Sequence, residues 1–226
     1  MQLRTMSKPG DNVRKMADNR KNAAKQKFMQ TGFLIITSLI IIFLPLLSPT
    51  IKVLICGASG ICAFFCYLKG KQLLIRANQA TKGADAETLV AEILQILEPR
   101  GWKIEHNILF EYGGDADFFL SSPQGNHFVI DVKSNSGRLF FNGDILKLRH
   151  GKNIYEFPQR KDILKAVKGQ AVKLKKLKKV RFVQPILCFT AAKLEEIDQN
   201  QKIKGVYVVS SDYLVALLHK INSLYQ

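Results

Sequence analysis

Asp115, Asp117, Asp131 and Lys133 all fall within one short stretch, GDADFFLSSPQGNHFVIDVKSNSG, from Gly114 to Gly137. Carboxylates held face to face across a sheet repel each other, at a cost of a few tenths to about 1 kcal/mol. A cation between them reverses that sign. The stretch therefore asks whether Asp117 and Asp131 are placed to share one.

The flanking residues answer through strand geometry. Phe118 to Leu120 and Phe128 to Val132 have strand composition, and Ser121 to Asn126 between them is turn chemistry. A hairpin turning near Gln124 pairs residues whose numbers sum to about 248. Asp117 then opposes Asp131, and Asp115 opposes Lys133. Opposed residues share a face and side chains alternate, so the four charged residues gather on one face and Phe128, Ile130 and Val132 occupy the other. A solvated strand end with an Asp115–Lys133 ion pair explains the same cluster. The triplet Asp131-Val132-Lys133 is no more than this composition would supply by chance.

Two further polar residues sit close to apolar faces. Gly83 to Trp102 reads as a helix with Leu89, Val90, Ile93, Leu94 and Leu97 on one side, ended by Pro99 and Gly101. Glu87 falls in its first turn, a favourable place for an acid. Arg160 to Phe182 reads as a basic amphipathic helix, and Gln170 lies among Ile163, Val167, Ala171, Leu174 and Leu177. Buried there it needs partners, and the alternative is a boundary residue turned to solvent. Between these helices, Lys103 to Tyr112 alternates like a first strand, and Arg138 to Phe157 suggests a further hairpin or loop. Two buried strands follow, VQPILCFT and GVYVVS, then a last helix from Ser211-Asp212 through Leu224. The order α-β-β-β-α-β is that of an α/β domain with a mixed sheet.

The N-terminal third differs in kind. Thr31 to Pro49 and residues 52–68 are almost uncharged apolar runs. Phe33 to Leu47 alone would span about 22 Å as helix against a hydrocarbon core of about 30 Å, so flanking residues must complete the crossing. A two-helix transmembrane hairpin is the reading, with one kinked re-entrant segment as the alternative. A signal peptide does not suit thirty polar residues ahead of the run and no clear cleavage site. Residues 1–30 carry eight Lys and Arg and are expected to be a disordered basic tail; 70–82 are expected to be a linker. Lys69, Lys71 and Arg76 follow the second run, while the turn offers only Lys52. Basic flanks place both termini, and the domain from residue 83 to 226, on the cytoplasmic side. Cys56, Cys62, Cys66 and Cys188 lack metal-ligand spacing, and no disulfide framework appears. Gly57, Ala58 and Ser59 are small enough to let helices approach closely, but small residues are common in such spans and do not by themselves point to dimerisation. The four histidines are assigned no chemistry. Trp102 and Phe140-Phe141 are read as core packing or a loop anchor.

Together these positions resemble the PD-(D/E)XK nuclease superfamily, and more narrowly its nuclease-related domain, NERD. That pattern runs from a Gly-x-x-x-Glu helix through Gly-x-x-Asp to an acid-x-Lys followed by Gly: here Gly83/Glu87, Gly114/Asp117, Asp131/Lys133 and Gly137. Asp131 stands where Glu is common, and Phe118 where a His often follows; neither change removes a metal-binding oxygen. The Asn-Pro that often precedes the helical Gln is not clearly present, although Pro158 lies upstream. The resemblance implies a restriction-endonuclease-like core and a Mg²⁺ or Mn²⁺ cofactor. Asp117, Asp131 and the Val132 carbonyl would hold the metal, with Glu87 in the outer shell. Lys133 would orient water or stabilise the transition state, and Gln170 would position substrate or the Lys133 network. Asp115 is a weaker candidate, pairing Lys133 or lying at the rim.

The implied activity is DNA phosphodiester hydrolysis. A non-catalytic nucleic-acid-binding module and a membrane-surface scaffold are the rival readings. Lys71 to Gln226 carries 24 Lys/Arg against 16 Asp/Glu, a charge that suits a polyanionic partner, nucleic acid or lipid. Lys168, Lys173, Lys175, Lys176, Lys178 and Lys179 on the basic helix are expected to contact phosphate. A path along Arg138, Lys147, Arg149 and Lys152 is the alternative.

Overall fold

The computed structural model describes residues 10–45, 48–111, 113–157 and 162–223. Tyr112, Pro158, Leu224 and the ends Leu46–Leu47 of the first apolar run lie outside them, as do the tail residues before Gly10. The chain divides into two compact units, Asn12–Lys82 and Gly83–Gln226, the latter together with the stretch up to Asp11.

The first unit is a pair of helices, α1 (Asp11–Phe43) and α2, which runs from Pro49 to Gln95 and so ends in the second unit. Proline opens α2, where its fixed φ suits the first helical position. Small residues recur every seventh position: Ala17, Ala24, Thr31 and Ser38 on α1, and Cys56, Ala63, Gly70 and Ala77 on α2. Ala17, Ala24, Ala63 and Ala77 are buried. Thr31 Oγ1 donates to the Ala63 carbonyl at 3.5 Å, and Cys56 Sγ to the Ser38 carbonyl at 3.6 Å. Both of these contacts join residues whose numbers sum to 94, as in an antiparallel pair. A seven-residue repeat keeps a seam facing its partner, and small side chains let the backbones close in. At Gly70 a Cβ would come within 2.9 Å of the Phe28 ring, which also lies 6.0 Å from Tyr67. Phe33, Ile36, Leu39 and Ile40 of α1, and Val53, Leu54, Phe64 and Phe65 of α2, face outward. Both helices are long and apolar enough to cross a membrane.

This unit corrects two expectations. Residues 11–30, expected to be a disordered tail, are helical, and so is the whole of the expected 70–82 linker. A seam of alanine, glycine, serine and threonine adds little hydropathy, so the packing that sustains these polar helices leaves no apolar stripe.

The second unit is a mixed sheet between helices. Its strands are β1 (Lys103–Leu109), β2 (Asp115–Ser121), β3 (His127–Phe141), β4 (Leu146–His150), β5 (Asn153–Tyr155), β6 (Gln184–Leu194), β7 (Lys202–Ile203) and β8 (Val206–Ser210). Helix α3 (Ile163–Lys178) enters between β5 and β6, and α4 (Ser211–Ser223) ends the described chain. The strand order is β1-β2-β3-β6-β8-β7, with β4 and β5 continuing from the far half of β3. The first three strands are antiparallel; β6 runs parallel to β3, and β8 to β6. Both faces of the centre are dry. Phe118, Leu120, Phe128, Ile130 and Val132 meet Ala86, Val90 and Leu94 of α2 together with α4. Ala116, Phe119 and Val129 meet Leu164, Val167, Ala171 and Leu174 of α3. The expected α-β-β-β-α-β core is present, its leading helix continuous with α2.

Candidate active site

The predicted hairpin register holds: Phe118 pairs with Ile130 and Leu120 with Phe128, which places Asp117 opposite Asp131 at the open end. There the ladder gives way to side chains. The Val132 amide donates to Asp117 Oδ2 at 2.6 Å in place of a backbone carbonyl. In an extended strand a residue's amide and carbonyl leave by the same edge, so the Val132 carbonyl is directed to the Asp117 side.

Asp131 is buried and binds Lys133 Nζ through Oδ2 at 2.5 Å. Its other oxygen accepts from Gln170 Nε2 at 3.2 Å, and the same amide donates to the Asp115 backbone carbonyl at 3.2 Å. Gln170 thus ties α3 to both strands, as a buried-face glutamine must. Its Oε1 is buried without a hydrogen-bond partner among the described residues. The alternative Asp115–Lys133 ion pair is not formed among the described residues. Asp115 is exposed, and Lys133 reaches the same-face residue two positions back on its own strand.

Glu87 also departs from its expected place. It lies in the interior of a continuous helix, so no N-terminal dipole favours its charge. It is half-buried, and the Gly10 amide donates to its carboxylate. Sequence reading had no means to pair Gly10 with it. Gly10 has φ +76, and a Cβ there would meet the Ala84 carbonyl at 2.8 Å.

The electrostatics follow from crowding. Burial, then the neighbouring Asp115, pushes Glu87 up to about 7. Burial, Asp131 and Glu87 hold Asp117 well above the usual carboxylate range. Burial opposes the charge of Lys133, yet Asp131 and Asp117 more than offset it and raise its pKa. Three acids around one ammonium leave the cluster short of positive charge.

The donors fit a hard divalent cation in kind. Among the described residues no three His, Cys, Asp or Glu side chains converge closely enough to hold a metal by themselves. A cation here would rest on Asp117, Asp131 and the Val132 carbonyl, with water and substrate oxygens completing its shell, as Mg²⁺ accepts. The unpartnered Gln170 oxygen is a further hydrogen-bond acceptor at this place.

A β-bulge follows at once, between Lys133 and Ser136, where β3 spends one residue more than β6. Beyond it Gly137 has φ +104, and a Cβ would stand 2.8 Å from the His150 ring and 2.9 Å from the Arg149 carbonyl. Only glycine lets β4 pack so closely.

The basic helix divides its lysines. Asp162 caps α3 by accepting from the Leu164 and Lys165 amides. Lys173 Nζ donates to the Gly113 carbonyl at 3.2 Å and sits 4.9 Å above the Phe110 ring, strapping the β1–β2 turn. Lys178 pairs with Glu105 at 2.5 Å and covers Phe119. Lys168, Lys175, Lys176 and Lys179 are exposed. Lys168 and Lys175 line a surface with Phe182, Val183 and Pro185, on the flank away from Gln170 and Lys173. On β4, Arg149 pairs with Glu195, which also binds Arg138.

Residues 82–190 match the family model of the nuclease-related domain. No curated protein and no solved structure matches the chain. The matched stretch opens just before the Glu87 turn, contains both aspartates, Lys133 and Gln170, and closes within β6: residues 82–190 are a NERD domain, with a nuclease-like mixed α/β fold after two long apolar helices.

Proposed function

We propose that this protein is a membrane-anchored nuclease that hydrolyses DNA phosphodiester bonds with Mg²⁺ or Mn²⁺, its NERD domain facing the cytoplasm. The observation that carries the reading is Asp131, buried and held from both sides by Lys133 and Gln170, with Asp117 opposite. A bound divalent cation would lower the pKa of a coordinated water and offset charge on the scissile phosphate. Asp117, Asp131 and the Val132 carbonyl are the residues that would hold it, with Glu87 behind. Lys133 sets an ammonium where the phosphorane-like charge develops or orients the attacking water. Gln170 fixes Asp131 and, through its carbonyl oxygen, offers an acceptor to a water or substrate hydroxyl.

The full chain in nanodiscs should nick supercoiled plasmid with Mg²⁺ or Mn²⁺ and not with chelator, and Asp131→Ala should abolish the nicking. Tight DNA binding without cutting, unchanged in that variant, supports the non-catalytic binding module instead. That second reading has one observation behind it: the exposed Lys168 and Lys175 of α3 lie on the flank away from the acids. The anchor is supported by the outward apolar residues of both helices and by the basic residues beyond them. Protease added outside sealed inverted vesicles, which expose the cytoplasmic face, should cut the domain; protection there overturns the orientation.

A further inference from the structure

Phe182 stands where the chain leaves α3 for β6, and it is 57% exposed. It forms part of two clefts at once. One, of about 310 Å³, is bounded by Lys168, Val172, Lys175 and Pro185. The other, of about 800 Å³, is bounded by Lys179, Arg181, Lys202 and the start of β3 at His127 and Phe128. No aspartate or glutamate among the described residues lines either cleft. Among the described residues none of these five cations forms an ion pair; their neighbours Lys178 and Lys204 do.

An exposed aromatic ring with cations free of ion pairs on both sides, Lys202 among them with its Nζ 5.2 Å over the Tyr207 ring, answers a ligand that alternates flat apolar groups with anionic links. We propose that Phe182 and the two clefts form a single-stranded nucleic-acid site, separate from the acidic cluster, in which a base stacks on Phe182. Lys168 and Lys175 then contact the phosphate on one side of that base, and Lys179, Arg181 and Lys202 the phosphate on the other. Bases of a duplex are already stacked and cannot reach the ring. A ring that inserts into lipid stands out from a convex surface, whereas Phe182 lines two concavities. The proposal rests on the nucleic-acid reading above and assigns the substrate form that reading leaves open. It also re-sorts the basic residues: Lys173, Lys176 and Lys178 leave the contact set, and Arg181 and Lys202 join it.

The test uses the full chain carrying Asp131→Ala in phosphatidylcholine nanodiscs, with fluorescein-labelled oligothymidine and a duplex of equal length as probes. Phe182→Ala should weaken oligothymidine binding by roughly 5- to 150-fold, the value of one base stack, and leave duplex binding unchanged. Phe182→Trp should restore it, with far-UV circular dichroism unchanged in both variants. Lys168→Gln with Lys175→Gln should flatten the salt dependence by about 0.7 per lost contact. Equal losses for single strand and duplex, or no loss, overturn the proposal. So does lost binding to phosphatidylserine vesicles with oligothymidine binding intact, which would mark a lipid contact. Phe182-dependent binding in a protein whose Asp131 form never cuts DNA overturns the nuclease reading alone; cutting with Phe182-indifferent binding overturns this one alone.

Discussion

The acidic cluster and the helical seam solve opposite packing problems. Around Asp131, charged groups are drawn out of water and crowded until two carboxylates resist ionising. Along α1 and α2, side chains have been cut down to methyls, hydroxyls and hydrogens so that nothing needs solvation and backbones can meet. The cluster stores unfavourable charge that a ligand can relieve; the seam stores only shape. Substitutions should therefore act on function in the first region and on stability in the second.

The largest expected effect is at Lys133. Lys133→Met keeps the side chain's length and loses its charge, and should lower metal-dependent nicking about 10²- to 10³-fold, the usual size for a lost transition-state donor. Initial rates on plasmid would show it, and a rate within threefold of wild type would mean the ammonium only neutralises Asp131. Next comes the seam. Gly70→Leu must displace the Phe28 ring and should cost about 1–3 kcal/mol of helix-pair stability. Thermal unfolding in detergent would show it, and unchanged melting would mean the seam does not bear on the pair's stability.

A smaller effect follows from Glu87. Its folded pKa of about 7 exceeds the ordinary 4.5, so the fold binds a proton that the unfolded chain has released. Metal-free stability should fall as pH rises from about 4.5 to about 7 and level off above, by about 1–2 kcal/mol after allowance for partial exposure. Asp117 acts in the same direction. Denaturant midpoints against pH would trace the fall; Glu87→Gln should flatten it, and Mg²⁺ should restore stability at pH 8. A midpoint that rises over this range would reverse the assignment of the cluster as proton-binding. The smallest effect is at the rim: Lys178→Ala removes the Glu105 pair and should cost at most about 1 kcal/mol.

The same contrast explains what could be read in advance. The hairpin register was legible because turn residues and two-residue alternation fix it, and Asp117 and Asp131 fell where expected. The partner of Lys133 was not, because cross-strand counting ignores how a long side chain lies along its own strand. The spacing that singled out Gln170 found its element but not its bonds to Asp131 and Asp115. A helical sequence cannot say which flank of α3 meets the acids, so Lys173 and Lys178 were grouped with lysines that face elsewhere. The seam was missed: hydropathy is blind to alanine and glycine, so their seven-residue repeat went unread and residues 11–30 passed for a tail.

That seam also constrains how the chain can change length. Its small residues recur every seventh position, so inserting a single residue in either helix turns everything beyond it by about 100° and breaks the match from there on. Adding seven residues to both helices restores it. The helix pair should therefore vary among related chains in heptad steps taken jointly, a ruler with coarse divisions.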